Sequence, residues 1–147
     1  MNDNLPGNDL VRLDNQLCFA LYAASRKITA LYEPLLTRHG ITYTQYITLM
    51  VLWEHGSLTV KQIGEKLLLD SGTLTPVLKK LEEKGHVTRE RQKDDERVVL
   101  VRVTEKGMAV RDDALAFLPG MLCNTGLEPE KLVKLRDEVR ELMEKLG

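Results

Sequence analysis

Two thiols stand out among the side chains that could do chemistry: Cys18, in "DNQLCFALYAASRKI", and Cys123, in "PGMLCNTG". A thiol can be a nucleophile or a redox group, yet a free cysteine is also among the most commonly buried residues and packs like a small hydrophobe. Neither stretch decides between these by itself. His39, His55 and His86 have no metal-ligand spacing to either thiol, so they read as surface or packing residues and no metal is expected. A second group is polar. Ser71, Thr73, Thr75 and Pro76 form the stretch "SGTLTP", with Lys79 and Lys80 one to two turns later, and "DDER" sets Asp95 two residues before Arg97. Small hydroxylated side chains suit hydrogen bonding to phosphates and base edges at close approach. An arginine can enter a narrow minor groove, and a nearby carboxylate could hold its fork in position. Taken alone, these residues favour the plainer reading, a capped surface helix and a solvated turn. The elements around them have to decide.

At 147 residues the chain fits one domain large enough to bury a core. With 43% hydrophobic and 29% charged residues it has the balance of a soluble globular protein. No apolar run approaches the length of a membrane span, so no membrane partner is expected. "MNDNLPGNDL" has neither the basic start nor the apolar centre of a signal peptide, and a cytoplasmic protein is expected. Thiols there are normally kept reduced, which argues against a permanent structural disulfide between Cys18 and Cys123. The net charge of −1 neither advertises nor excludes a nucleic-acid partner.

From Leu13 to about Arg38, Leu13, Leu17, Leu21, Ala24, Ile28, Leu31 and Leu35 mark one helical face, and Pro34 should bend or end that helix. Thr42 with Gln45, and Thr59 with Gln62, form capping boxes for a second and a third helix. Asp70 and Ser71 can both cap a fourth, from Gly72 to Lys84, which Gly85 ends. Then the period changes. "HVTRERQ" and "RVVLVRVT" read as two strands joined by a charged loop longer than a tight turn. Thr104 opens another helical stretch, interrupted at Pro119 and Gly120, so that Cys123 falls in or beside a breakable loop. A last helix begins near Pro129, with Leu132, Leu135, Val139, Leu142 and Leu146 in a narrow stripe that prefers a partner helix. Trp53 reads as core.

Three short capped helices followed by a two-stranded ribbon have the order of a winged helix-turn-helix, mainly α with a small β-wing, whose second helix of the pair enters the major groove. Between Ser71 and Arg102 there are eight Lys or Arg against six Asp or Glu, so the case for DNA rests on arrangement rather than on charge. The segment from Leu58 to Gly107 resembles the MarR family of winged-helix repressors, with "DDER" matching that family's Asp-x-Arg wing element. "LDNQLCFALYAASRKITALYEPLL" and "GITYTQYITLMVLWE" are similar to its organic hydroperoxide resistance regulators, which are thiol-based peroxide sensors.

The resemblance implies one domain over residues 1–147: a winged helix-turn-helix over 42–107, with dimerisation helices over 13–38 and 108–147 that interlock in a homodimer. It implies that the dimer binds palindromic double-stranded DNA and that organic hydroperoxides are the effector. Cys18 aligns with the peroxide-reactive cysteine, Tyr32 and Tyr43 with tyrosines that reach that sulfur from the partner subunit, and Cys123 with the resolving cysteine of the two-cysteine branch; Tyr22, one turn after Cys18, could add to the site. A small cellular thiol capping Cys18 is the alternative to Cys123. Only a thiolate attacks the peroxide bond, and an ordinary cysteine, with a pKa of about 8.5, is mostly protonated in the cell. Phenolic hydroxyls donating to sulfur favour the anion while leaving the pocket apolar, which suits alkyl or fatty-acid hydroperoxides. Two other functions use the same residues: a thiol peroxidase with Cys18 attacking and Cys123 resolving, and a repressor that binds a phenolic ligand, with Cys18 inert. A nucleotide enzyme is unsupported, because the chain has no glycine-rich phosphate loop.

Overall fold

The computed structural model describes residues 7–147; the first six residues of "MNDNLPGNDL", part of the stretch read for a leader, lie outside the described residues. The chain divides after Tyr43 into two compact units. In the first, a short 3₁₀ turn at Leu13–Asn15 leads into α1 (Leu17–Ala30), and α2 follows (Glu33–His39). The single helix expected from Leu13 to Arg38 is therefore broken. The break falls at Leu31 and Tyr32, whose amides reach back three residues to Ile28 and Thr29 at 3.0 and 3.1 Å, and Pro34 sits in the first turn of α2, where its missing N–H costs nothing. α2 buries Leu35 and Leu36, whereas α1 buries no residue.

The second unit carries most of α3 (Tyr43–His55), then β1 (Ser57–Thr59), α4 (Val60–Leu67), α5 (Ser71–Glu83), β2 (Val87–Arg91), β3 (Val99–Val103), α6 (Glu105–Cys123) and α7 (Pro129–Leu146). The capping box of α4 is complete: Thr59 Oγ1 accepts from Gln62 N at 3.2 Å, and Gln62 Oε1 accepts from Thr59 N at 2.9 Å. Asp70 alone caps α5, accepting from Thr73 N at 2.7 Å, so Ser71 is the first helical residue and not a second cap. β1 is an addition to the expected pair of strands. It pairs with β3, Leu58 opposite Val101, and gives an antiparallel sheet in the order β1-β3-β2. Three residues are too few to show a period, which is why the sequence does not reveal this strand.

Ile63 of α4, Leu74, Leu78 and Leu81 of α5, and Val101 of β3 have no solvent exposure, and Leu58 and Val87 are buried with them. The three leucines fall at i, i+4 and i+7, which turns the opposite face of α5 outward. Gly85, at φ +83°, turns the chain out of α5 in the left-handed conformation glycine adopts without penalty. The start of α6 closes this corner. Thr104 Oγ1 donates to Gly85 O at 2.6 Å, and Lys106 Nζ donates to Lys84 O at 2.6 Å, supplying donors for carbonyls at the end of α5. Gly107 lies so close that an added Cβ would collide with the His86 carbonyl. Trp53 is half-buried rather than fully in the core, because its indole Nε1 must reach Gly107 O, to which it donates at 2.9 Å.

α6 runs unbroken to Cys123, through Pro119 and Gly120. The expected interruption does not occur: Leu115, whose carbonyl loses its donor to the proline, is 58% exposed, so water can satisfy it. Cys123 is accordingly the last residue of a helix, beside the turn at residues 124–126 and not inside it. α7 buries none of its side chains. No helix among the described residues is long and apolar enough to cross a membrane.

Candidate thiol sensor and DNA-reading surface

On the outward face of α5, Ser71, Thr73, Thr75, Pro76, Lys79 and Lys80 are all exposed. Lys80 is partly engaged, 3.5 Å from Glu83 in an exposed ion pair. The wing loop between β2 and β3 is held by its own polar groups. Gln92 N donates to Val98 O at 2.9 Å, Val98 N to Asp95 O at 3.0 Å, and Arg91 Nη1 to Glu96 O at 2.8 Å. At the tip, one oxygen of Asp95 accepts from both the backbone N and the Nε of Arg97, each at 3.1 Å. The Arg97 side chain is 92% exposed, so the carboxylate fixes the near side of the guanidinium while its far side faces water.

A cleft between α4, α5 and the wing gathers Lys61, Ser71, Thr75, Arg89, Arg91 and Arg97, four cations with no carboxylate in its lining. The sequence reading missed Lys61, Arg89 and Arg91. Arg89 and Arg91 alternate along β2 and so share a face of the strand, a signal that was available. Arg89 is also tied to α5. Its backbone N and Nη2 donate to the two oxygens of Glu82 on α5, each at 3.1 Å, and this pairing holds the Glu82 carboxyl below the usual glutamate range. The wing root and α5 are thus clamped into one piece.

The residues expected to form a sensor lie on α1, at its junction with α2, on α3 and on α6. Cys18 is an exposed free thiol in the first turn of α1. Tyr22 follows four residues later on the same helical face, its ring 4.4 Å from the Arg26 guanidinium carbon. Tyr32, at the break before α2, and Tyr43, the first residue of α3, meet edge to face with ring centroids 5.3 Å apart. Burial raises both phenols above the ordinary tyrosine value, and for Tyr32 the neighbouring Tyr43 adds to the effect. Phenols are protonated at neutral pH even at the ordinary value, so both are hydrogen-bond donors. Cys123, also an exposed free thiol, lines an apolar cleft of about 440 Å³ with Pro119, Leu122, Leu127, Leu132 and Val133.

Residues 30–114 match the family described as transcriptional regulator SarA/Rot. The chain is 48% identical over 139 residues to the organic hydroperoxide resistance transcriptional regulator of Bacillus subtilis, covering 94% of each chain. It belongs to the MarR family of winged-helix regulators, in the organic hydroperoxide resistance branch. The regulator is similar in structure to AbfR of Staphylococcus epidermidis. It matches the reduced, DNA-bound form of AbfR with a TM-score of 0.77 at 36% identity, over 95% of this chain and 97% of that one. Against the disulfide form the TM-score is 0.65 at 37% identity, over 95% and 92%. The relatives are named as transcriptional regulators, and the peroxidase reading falls with that.

Proposed function

We propose that the regulator is a homodimeric repressor that binds a palindromic operator and leaves it when an organic hydroperoxide oxidises Cys18. The supporting observation is an exposed thiol in the first turn of α1 together with two phenols, Tyr32 and Tyr43, whose rings meet edge to face. The Cys18 thiolate attacks the peroxide bond, taking one oxygen; with a proton, the other oxygen leaves as the alcohol, and sulfur becomes the sulfenic acid. The Cys123 thiol of the partner then displaces that hydroxyl, forming a disulfide and releasing water. In the dimer, Tyr32 and Tyr43 donate to the sulfur of the partner chain and stabilise its anion. AbfR supports the second step, having been solved both reduced on DNA and as a disulfide.

On α5, Ser71, Thr73, Thr75 and Pro76 meet the major groove, Lys79 and Lys80 meet phosphates, and the Asp95–Arg97 pair presents the wing to the minor groove. Because two half-sites lie about one helical turn apart, a small change in head spacing abolishes binding. A mobility shift on the DNA upstream of the regulator's own gene tests the whole scheme. Reduced protein binds, cumene hydroperoxide releases it at lower concentration than hydrogen peroxide does, and Cys18→Ser stays bound. Mass spectrometry of the oxidised wild type finds a Cys18–Cys123 linkage that Cys123→Ser lacks. Release of Cys18→Ser by peroxide, or by a phenolic ligand alone, refutes the thiol mechanism.

A further inference from the structure

Lys84, at the end of α5, is bonded to two other helices at once. Its own amide donates to Lys80 O at 3.1 Å, so the residue moves with α5. Its ammonium donates to Gln45 Oε1 on α3 at 3.1 Å, and its carbonyl accepts from Lys106 Nζ on α6 at 2.6 Å. Gln45 stands in the first turn of α3, two residues after Tyr43, and is only 5% exposed, a setting that strengthens a bond to a charged donor. Lys106 stands in the first turn of α6, and Cys123 ends that helix about 25 Å further along. A continuous helix is a rigid element, so a displacement at one end arrives at the other. Ser71 and Thr73 begin α5, roughly 20 Å along its axis from Lys84, which can therefore shift the helix without itself meeting the bases.

We infer that Lys84 is a positioning residue that passes the state of the thiols to α5, its side chain following α3 and its carbonyl following α6. This rests on the sensor reading above and adds to it the contact through which oxidation acts on the DNA-binding helix. In the reduced protein the two bonds hold α5 in the placement that fits the operator. When Tyr43 loses its thiolate acceptor and Cys123 is drawn into the disulfide, the starts of α3 and α6 are displaced and Lys84 takes α5 with them. With the side-chain bond removed, α3 moves while α5 keeps its place.

The experiment measures operator affinity of the full-length protein by fluorescence anisotropy, before and after oxidation with cumene hydroperoxide, with mass spectrometry reporting that Cys18 is spent. The readout is the ratio of the oxidised to the reduced dissociation constant, which should be roughly 5–150 in the wild type. Lys84→Met keeps the aliphatic stem and loses the donor; it should bind like wild type when reduced, and its ratio should be about 2–30-fold smaller because the oxidised variant holds the operator. Lys84→Arg keeps a donor and should recover most of the ratio. Gln45→Met removes the other half of the same bond, so the double variant should lose no more than either single one. A ratio left unchanged by Lys84→Met, an equal loss in Lys84→Arg, or effects at the two positions that add, overturns the inference while the sensor stands. Thermal midpoints report folding, and the two Lys84 variants decide the matter even where the buried Gln45→Met fails to fold. A wild type whose spent thiols leave the ratio at one overturns the sensor reading itself, and this inference with it.

Discussion

α5 and α7 are both amphipathic helices, and they end in opposite situations. In α5 the inward leucines, Leu74, Leu78 and Leu81, have lost all contact with water. In α7 the apolar stripe is never closed: Leu135 is 49% and Leu146 78% exposed, and Leu132, Val139 and Leu142 are only half-buried. α1 behaves like α7, with Leu17 at 59% and no buried residue. The difference lies in what surrounds each helix. α5 packs on α4 and β2 of its own chain, so its hydrophobic face is closed within one subunit. Two helices with uncovered stripes leave apolar surface whose removal from water would be favourable at roughly 25 cal/mol per Å², and a second copy is the partner proposed to cover it. The apolar face of α5 is closed within one chain, while α1, which carries Cys18, buries none of its residues.

Core truncation separates the two regions most strongly. Leu78→Ala should cost the folded state about 2–5 kcal/mol in chemical denaturation, at any protein concentration. Leu135→Ala should instead weaken self-association in sedimentation experiments while the head keeps its fold. If Leu135→Ala destabilises dilute and concentrated protein alike, α7 is packed by its own chain and the contrast fails.

Arg97→Ala probes the head's outer surface. With its side chain almost wholly in water, the Asp95–Arg97 pair contributes little to stability, so the thermal midpoint should hold while operator affinity, read by fluorescence anisotropy, falls by roughly 1–3 kcal/mol. A midpoint that drops in step with affinity would make the pair a structural support.

The smallest effect concerns the clamp between α5 and β2. Arg89 lowers the Glu82 pKa in the folded state, so the stabilisation is present above the ordinary glutamate value and disappears as pH falls through the lowered one. Partial exposure of both side chains keeps it below about 1 kcal/mol. Glu82→Gln should therefore be slightly less stable than wild type near neutrality and converge with it in acid. A stability gap that persists at low pH would mean that shape, rather than charge, holds the wing root.

Much of the head could be read from local signals. Thr59 with Gln62, Asp70 before its helix and the leucines of α5 each state a rule that holds within a few residues, and the structure follows them. Pro119 misled because a proline's cost depends on whether the orphaned carbonyl can reach water, and that is set by the fold. Trp53 misled in the same way, its indole drawn to a carbonyl 54 residues away. Cys18 stands out by residue type alone, whereas Tyr32 and Tyr43 come only from the resemblance, and local sequence does not show that the two phenols meet.

What the amino-acid order determined by itself was where helices start and stop, which faces are apolar, and that a thiol precedes a pair of tyrosines, because capping, periodicity and residue chemistry act over short range. The tertiary structure alone decided that Ser57–Thr59 becomes a strand, that Arg89 and Arg91 join Lys61 and Arg97 around one cleft, and that α1 and α7 remain uncovered. Each of these depends on which distant segment arrives to pair, converge or pack, and no local rule carries that information.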